Sequence, residues 1–101
     1  MEFINLTPHT VRLNNGTEFP SMGVAMGASS YSSFDDNGIA TVNFGFPIDL
    51  PDKKPGVYLI VSELLLQAFG AVRPDLVAPA TGHPETIWEN GQVVSVPGFV
   101  R

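Results

Sequence analysis

The amino-acid sequence predicts an α+β fold, in which a mainly antiparallel, rolled or barrel-like sheet of about six short strands carries one short helix. Three observations lead to this prediction. The 10 glycines and 9 prolines divide the chain at roughly 8–12-residue intervals, a spacing typical of many short strands. Several of the segments between them alternate apolar and polar residues, as half-buried strands do. One segment, residues 62–70, instead joins a capping residue to strong helix formers.

The first part of the chain predicts an edge strand followed by a hairpin. Residues 4–7 alternate apolar with polar side chains, and Pro8 ends this strand because proline cannot donate a ladder hydrogen bond. Residues 10–13 alternate in the same way. The turn sequence Asn-Asn-Gly at 14–16 favours positive φ angles, so that residues 18–20 would pair back with the preceding strand.

The middle of the chain predicts two more strands and a long loop. Apolar residues recur in a loose alternation at 24–33 and again at 39–44, on either side of a turn sequence at 35–38. Residues 45–56 contain three prolines. They predict a proline-rich surface loop, because neither a helix nor a sheet ladder tolerates this density of proline. Loops of this length are often functional, and a plain connector is the alternative.

The central buried strand is predicted at residues 57–61, a continuous apolar run rich in β-branched and aromatic residues. A short helix should follow, because Ser62 offers an N-cap oxygen and Glu63 places negative charge in the first turn. Gly70 is expected to end this helix in the left-handed conformation. Since so short a helix is marginal alone, its leucines must pack on the sheet.

The last part of the chain predicts a short strand at residues 76–77 and a hairpin at 87–96. Asn90 and Gly91 mark the hairpin turn, which requires positive φ at both of its central residues. Closing or covering the sheet edges is a common way for such proteins to avoid aggregation, and this consideration favours the rolled or barrel-like form.

The composition bounds the number of domains and the class of partner. A chain of 101 residues with 44% hydrophobic residues predicts a single compact domain over residues 1–101. Only 5 Lys and Arg stand against 10 Asp and Glu, a formal net charge of -5, so no basic patch is expected for nucleic acid or for anionic membranes. The chain has no cysteine, which excludes disulfides, thiolate metal sites and cysteine nucleophiles.

The sequence also predicts a cytoplasmic protein. Its first residues lack the basic and apolar regions of a signal peptide, since Glu2 follows Met1. The longest apolar runs, at 57–61 and 64–66, are too short to cross a bilayer.

The first candidate site residues are Asn5, Thr7 and His9, which share one face of the N-terminal strand because side chains alternate along a strand. Their amide, hydroxyl and imidazole groups could hold a polar ligand. The alternative is a polar edge that fixes the bend around Pro8.

Three further candidates lie near the predicted helix. Ser62 stands where a strand leads into a helix N-terminus, whose backbone N–H groups can bind phosphate or carboxylate, although Glu63 would repel an anion there. Arg73 and Asp75 flank a proline, and a planar guanidinium suits the recognition of phosphate or carboxylate. The alternatives are ordinary N-capping by Ser62 and an ion pair of Arg73 with Asp75 or Glu63.

Neither a metal site nor a cofactor is predicted. His9 and His83 could join a carboxylate in a three-ligand site, but the sequence lacks the close histidine spacings that such sites use. It also lacks nucleotide-binding and hydrolase motifs. An enzyme is therefore the less favoured interpretation. The one enzyme hypothesis that remains is a small hydrolase that uses His9 or His83 as general base.

A family of small, largely uncharacterised phage and bacterial proteins opens with Asn-Leu-Thr-Pro-His, and this chain resembles it in the run FINLTPHTV at residues 3–11. Further blocks at 56–62, 73–79, 91–94 and 98–99 support the resemblance. The resemblance implies a phage-encoded accessory or counter-defence factor, placed in the host cytosol. It brings no established activity with it.

The favoured hypothesis is a small non-enzymatic binding protein that sequesters a small polar, nucleotide-like ligand. The candidate residues would meet at one pocket, within one chain or between the subunits of a homo-oligomer: Asn5, Thr7, His9, Ser62, Arg73 and Asp75. The second hypothesis is an acidic protein–protein inhibitor of a host defence protein, which would use the loop at 45–56 against a basic surface.

Overall fold

The computed structural model describes residues 1–48 and 50–101, and for residues 26–31 and 43–48 it describes the backbone alone. Within these ranges the chain forms ten β-strands and one α-helix. The strands are β1 (Glu2–Asn5), β2 (Val11–Arg12), β3 (Glu18–Phe19), β4 (Met26–Tyr31), β5 (Val42–Ile48), β6 (Val57–Ile60), β7 (Leu76–Pro79), β8 (Ile87–Glu89), β9 (Gln92–Ser95) and β10 (Phe99–Val100). The helix is α1 (Glu63–Phe69), and it connects β6 to β7.

The centre of the molecule is a four-stranded sheet with the strand order β1-β6-β7-β10. Strands β1 and β7 both run parallel to β6, whereas β10 runs antiparallel to β7. Three two-stranded antiparallel ladders, β2–β3, β4–β5 and β8–β9, surround this sheet. The α+β class and the single short helix are thus confirmed for the part of the chain that the structure describes.

Two features of the sheets differ from the expectation. The strands are more numerous than the six predicted, and the central pairs β1–β6 and β6–β7 are parallel. For β6 and β7 the parallel arrangement follows from α1, because a crossover helix between two strands of one sheet returns the chain in the same direction. Among the described residues the strands form separate open sheets rather than a closed barrel.

The proline-rich loop begins later than the sequence suggests. Strand β5 extends to Ile48, so residues 45–48, which were expected in the loop over 45–56, belong to a ladder with β4. Pro47 is accommodated opposite Gly27, next to an irregularity in the pairing. A strand in a two-stranded ladder has one unpaired edge, where the missing N–H of proline needs no partner. Asp49 lies outside the described residues.

The continuous apolar run at 57–61 forms the buried strand β6 inside the central sheet, but the expectation that it is the most buried element is wrong, because three of the four residues of β7 are buried against two of four in β6. Leu59 and Ile60 are almost completely buried, and so is Val61, which follows the strand. Successive side chains of a strand point to opposite faces, so β6 contributes Leu59 and Val61 to one hydrophobic core and Ile60 to another.

The two cores lie on opposite faces of the central sheet. The first core contains α1, and its buried members are Leu6, Ala25, Leu59, Val61, Leu65, Leu66, Leu76 and Ala78. The second core is covered by the β2–β3 hairpin, and it unites Val11, Ile60, Val77 and Val96 with the partly buried Phe3, Leu13, Phe19, Tyr58 and Phe99. The sheet is therefore the middle layer between a helix and a hairpin.

Helix α1 begins as predicted but ends differently. The Ser62 hydroxyl accepts a hydrogen bond from the Leu65 N–H at 3.2 Å, which caps the helix. Gly70 was expected in the left-handed conformation, but it has φ -59° and ψ -30° and stays right-handed. Its requirement for glycine is steric, because a Cβ at this position would lie 2.6 Å from the Leu66 carbonyl oxygen.

The turn of the β8–β9 hairpin is confirmed. Asn90 has φ 53° and Gly91 has φ 75°, so both central residues are in the left-handed region that this turn type requires. Within the described ranges, no helix has the length and apolar character needed to cross a lipid bilayer.

Candidate functional site

A cleft of about 340 Å³ lies where the parallel strands β1, β6 and β7 end. It receives residues from the segment after β1, from the β6–α1 junction, from the end of β7 and from β9. The residues that line it are Thr7, His9, Thr10, Val11, Arg12, Ser62, Glu63, Pro79, Thr81, Val93, Val94, Ser95 and Val96. The carboxyl ends of parallel strands are the common position of ligand sites in open α/β sheets.

Asn5 organises the segment that forms one wall of this cleft. Its side chain is buried, and its amide nitrogen donates hydrogen bonds to the His9 carbonyl at 2.8 Å and to the Phe19 carbonyl at 2.7 Å. Its amide oxygen accepts from the Thr7 N–H at 2.9 Å and from the Thr7 hydroxyl at 2.6 Å. These contacts use both amide hydrogens and two acceptor positions. Asn5 therefore holds the wall in shape and does not reach a ligand.

Thr7 and His9 lie on the cleft itself, but they differ in what they can offer a ligand. The Thr7 hydroxyl lies within hydrogen-bond distance of Asn5 and of the His9 carbonyl, so it is engaged within the segment. The bonds of His9 to Asn5 and Thr7 use its backbone carbonyl, and its exposed imidazole stays free of side-chain hydrogen bonds to the described residues. His9 is the polar group of this wall that can bind a ligand.

The charges at the cleft are mixed. Arg12 pairs with Glu18 at 2.9 Å, with 49% and 50% of the two side chains exposed. Glu63 stands on the opposite wall, beside the capping Ser62. Because one guanidinium is already paired and one carboxylate faces the same space, the cleft is suited to a neutral or weakly charged polar molecule rather than to a polyanion.

Arg73 and Asp75 lie elsewhere. The guanidinium donates to both carboxylate oxygens of Asp75, at 3.0 and 2.8 Å, and to the Pro51 carbonyl at 2.7 Å. Asp75 is only 4% exposed. The hydrogen bond to Asp75 raises the pKa of Arg73, and the same hydrogen bond lowers the pKa of the Asp75 carboxyl. This pair ties the start of β7 to the proline-rich segment.

The candidate residues predicted from the sequence are therefore divided within one chain. Thr7, His9 and Ser62 line the cleft at the carboxyl ends of the strands, and Asn5 supports it from behind. Arg73 and Asp75 precede β7, at the amino end of the same sheet, and they are not part of the cleft lining. The ion-pair alternative for Arg73 matches the observed contacts.

Sequence reasoning did not select Thr10, Arg12, Thr81 or the β9 wall as site residues. Thr81 follows β7 directly, so the rule about carboxyl ends would have indicated it once β6 and β7 were recognised as parallel. The β9 wall depends on the contact between Leu13 and Val96, which no local pattern reveals.

The same contacts show which histidine and carboxylate groups could bind a metal ion or act in acid–base catalysis. Among residues 1–48 and 50–101, no three histidine or carboxylate side chains are grouped so that they could hold a metal ion. His83 accepts a hydrogen bond from the Glu85 N–H through Nδ1 at 3.0 Å, which fixes its own loop.

No family model, no curated protein and no solved structure matches this chain. The cleft is therefore interpreted from its own geometry.

Proposed function

We propose that the protein is a small non-catalytic binding protein that sequesters a small polar, nucleotide-like ligand in the cleft at the carboxyl ends of β1, β6 and β7. One observation carries the proposal: four separate segments of the chain bring polar side chains to a single cavity of suitable size. A volume of about 340 Å³ falls within the range of roughly 300–1,000 Å³ that is usual for small-molecule sites.

Three side chains of the lining can serve as ligand contacts. Thr10, Thr81 and His9 have polar groups that make no side-chain hydrogen bonds within the described part of the chain. Two hydroxyls and one imidazole can donate and accept in several directions. Apolar residues of β7 and β9 complete the walls, as in most ligand sites, where few polar groups fix the orientation.

The biological context belongs to the same proposal. The resemblance of residues 3–11 to the opening of a family of phage and bacterial proteins supports a phage-encoded accessory or counter-defence role in the host cytosol. Sequestration of a nucleotide-type signal requires binding only, and the hydroxyl groups of the lining can supply polar contacts for it.

We also propose that the central sheet is rolled. Phe3 lies on β1 and Phe99 on β10, at opposite edges of the four-stranded order, yet their ring centroids are 5.0 Å apart. Three strand spacings of about 4.8 Å would separate the two edges of a flat sheet by roughly 14 Å. Curvature of the sheet toward the second core accounts for the contact.

The binding proposal is tested with purified protein. Mass spectrometry after denaturation should release a small molecule that co-purified with the chain, and calorimetric titration should detect binding of that compound. His9→Ala and Thr81→Val should each weaken binding by about fivefold, the effect of one neutral hydrogen bond. Thr41→Val, which changes an exposed threonine away from the cleft, is the matched control. Equal binding by all three variants would exclude the cleft as the site.

A second candidate function is supported by the turn between β4 and β5. Phe34 and Ile39 are strongly exposed there, next to Asp35 and Asp36. Exposed apolar side chains beside acidic ones are suited to a protein partner with a basic, partly apolar surface. An acidic inhibitor of a host defence protein would lose its stoichiometric partner in the variant Phe34→Ser, whereas the cleft variants would retain it.

A further inference from the structure

A second cavity, of about 310 Å³, lies on the face of the central sheet that carries the second core. It shares no lining residue with the cleft. Arg101 is the one charged side chain among the residues that line it, and the others are aromatic or aliphatic: Met1, Phe3, Tyr58, Val77, Phe99 and Val100. We call this cavity the aromatic groove.

Stacked rings form the floor of the aromatic groove. The Phe3 ring lies 5.6 Å from the Tyr58 ring and 5.0 Å from the Phe99 ring, measured between centroids, with an interplanar angle of 23° in both pairs. Phe19 of the β2–β3 hairpin packs edge-on against Phe3 and Phe99. Tyr58 is partly buried and lines the groove, so part of its ring remains accessible.

Arg101 is held over this floor by Tyr58. Its guanidinium carbon lies 5.6 Å from the centroid of the Tyr58 ring, and its Nη2 donates a hydrogen bond to the Tyr58 hydroxyl at 3.2 Å. An arginine that stacks on an aromatic ring keeps the N–H donors at the edge of its plane available. The bond to Tyr58 uses a single one of these donors.

The charge of Arg101 is not neutralised by a neighbouring carboxylate side chain. Arg12 pairs with Glu18 and Arg73 pairs with Asp75, whereas Arg101 makes no ion pair with the described residues. The lining of the aromatic groove contains no acidic side chain. In a chain with a formal net charge of -5, the groove is therefore a place where a positive charge is open to an anion.

The groove combines this single charge with an apolar lining, and the combination defines the class of ligand. The planar fork of a guanidinium matches the two oxygens of a carboxylate. One unpaired cation suits one carboxylate rather than a polyanion. Aromatic and aliphatic walls favour an apolar body attached to that carboxylate.

We infer that the aromatic groove binds a small monocarboxylate with an apolar body. Arg101 binds the carboxylate, and the rings of Phe3 and Tyr58 with Val77 and Val100 contact the body. The volume of about 310 Å³ lies at the lower end of the roughly 300–1,000 Å³ range of small-molecule sites, which agrees with a small ligand. This site is separate from the cleft, so the inference does not rest on the proposed function.

Three probes separate the contributions of the charge and of the apolar body: octanoate, its neutral analogue octanamide, and acetate. The full chain is labelled with ¹⁵N, and the Nε–H signals of its three arginines are followed by nuclear magnetic resonance. The Arg101 signal is identified by its absence in Arg101→Gln. We expect octanoate to shift this signal. Octanamide should bind about tenfold more weakly because its hydrogen bond to Arg101 is not charge-assisted. Acetate should also bind at least about tenfold more weakly, because it has almost no apolar surface to bury.

Two variants with the same loss of charge test the role of Arg101. Arg101→Gln should weaken octanoate binding roughly 10- to 100-fold in a calorimetric titration, the effect of one hydrogen bond to a charged group, and should change octanamide binding little. Lys53→Gln is the matched control, because Lys53 is exposed and does not line the groove. It should leave octanoate binding unchanged. Circular dichroism shows whether both variants are folded.

Four results would overturn the inference. Equal binding of octanoate and octanamide would show that the carboxylate is not recognised. Equal weakening by Arg101→Gln and Lys53→Gln would show a general effect of charge. An Arg101 signal that octanoate does not shift would place the ligand elsewhere or show no binding. Self-association of the chain that Arg101→Gln abolishes would make a second copy the occupant. The proposed function is judged separately, by the His9 and Thr81 variants.

Discussion

Asn5 is the residue on which the shape of the cleft wall depends. Its buried amide joins the segment after β1 to β3 through the carbonyls of His9 and Phe19. A buried polar group left without its hydrogen-bond partner costs about 1–3 kcal/mol. Asn5→Ala removes the partner of several such groups, among them the carbonyls of His9 and Phe19. We therefore expect this variant to lose about 3 kcal/mol of unfolding free energy, measured by urea denaturation.

Asn15→Ala is the control for Asn5. Asn15 is exposed, and its side chain accepts a single local hydrogen bond from the Thr17 N–H. Its replacement should cost no more than about 1 kcal/mol. Similar losses in the two variants would contradict the structural role of Asn5.

Two arginine ion pairs of the same chemistry differ in burial, which makes them a matched test. Asp75 is almost completely buried under Arg73, whereas Arg12 and Glu18 are half exposed. Removing one partner of a buried pair leaves an uncompensated charge, so Arg73→Ala should cost about 3 kcal/mol. Arg12→Ala should cost at most about 1 kcal/mol. Denaturant titration measures the unfolding free energy of both variants. Equal losses would mean that the Arg73 pair is screened by solvent.

The lowered pKa of Asp75 makes stability dependent on pH. The hydrogen bond from Arg73 lowers the pKa of this carboxyl in the folded chain. Its stabilising contribution is therefore complete above the ordinary aspartate pKa of about 3.9, and it is lost as the pH falls through the lowered folded-state pKa. We expect the unfolding free energy to decrease below about pH 4, and to decrease less in Asp75→Asn. An identical acid profile for the two proteins would exclude this linkage.

At the scale of elements, we expect a glycine-to-alanine change at the end of α1 to lower the unfolding free energy, the opposite of its usual effect in a helix. Replacing a glycine by alanine in a helix normally gains about 1 kcal/mol. A Cβ on Gly70 would instead meet the Leu66 carbonyl oxygen at 2.6 Å, so the backbone of the last turn must shift. We expect Gly70→Ala to lower the unfolding free energy by about 1–3 kcal/mol, the cost of overpacking.

Gly82→Ala is the control for Gly70. Gly82 has open space where its Cβ would be, and its φ lies outside the left-handed region. Its replacement should change stability by no more than about 0.5 kcal/mol. A stabilising effect of Gly70→Ala in thermal denaturation would show that the close approach at the helix end relaxes at little cost.

Elements with a local signal could be predicted from the sequence, and elements set by distant pairing could not. The run at 57–61 and the Asn90–Gly91 turn are local patterns, and the structure confirms both. The parallel pairing of Glu2 with Val57 joins distant parts of the chain, and no periodicity encodes it. The same limit applies to predicting which site residues lie together. Because β7 runs parallel to β6, Arg73 lies at the other end of the sheet from His9.

At the scale of the whole molecule, the described chain is less compact than its length suggests. Its Cα radius of gyration is 15.3 Å, against about 13 Å for a compact domain of 100 residues. The two-stranded ladders β4–β5 and β8–β9 are not paired with the strands of the central sheet. An isolated hairpin has marginal stability in water, so these two ladders should exchange amide hydrogens faster than β6.

The overall charge gives a prediction about nucleic acid. With a formal net charge of -5 and only 5 Lys and Arg, the chain has few cations with which to displace phosphate counterions. Fluorescence anisotropy with a labelled DNA duplex should show no binding at physiological salt. Micromolar binding that weakens as salt is added would contradict the acidic surface.

The parallel pairing of β1 with β6 also has a consequence for folding, because it joins strands that are far apart in the sequence. Strand β1 belongs to the sheet that divides the two cores, but its partner is synthesised roughly fifty residues later. Until then, Phe3 and Ile4 have no neighbouring strand, and the hairpin formed by β2 and β3 has no sheet to cover. The local hairpins and α1 can form early, whereas the central sheet must wait for a contact of high sequence separation. We therefore expect the closing of that contact to be the slow step in the folding of this chain.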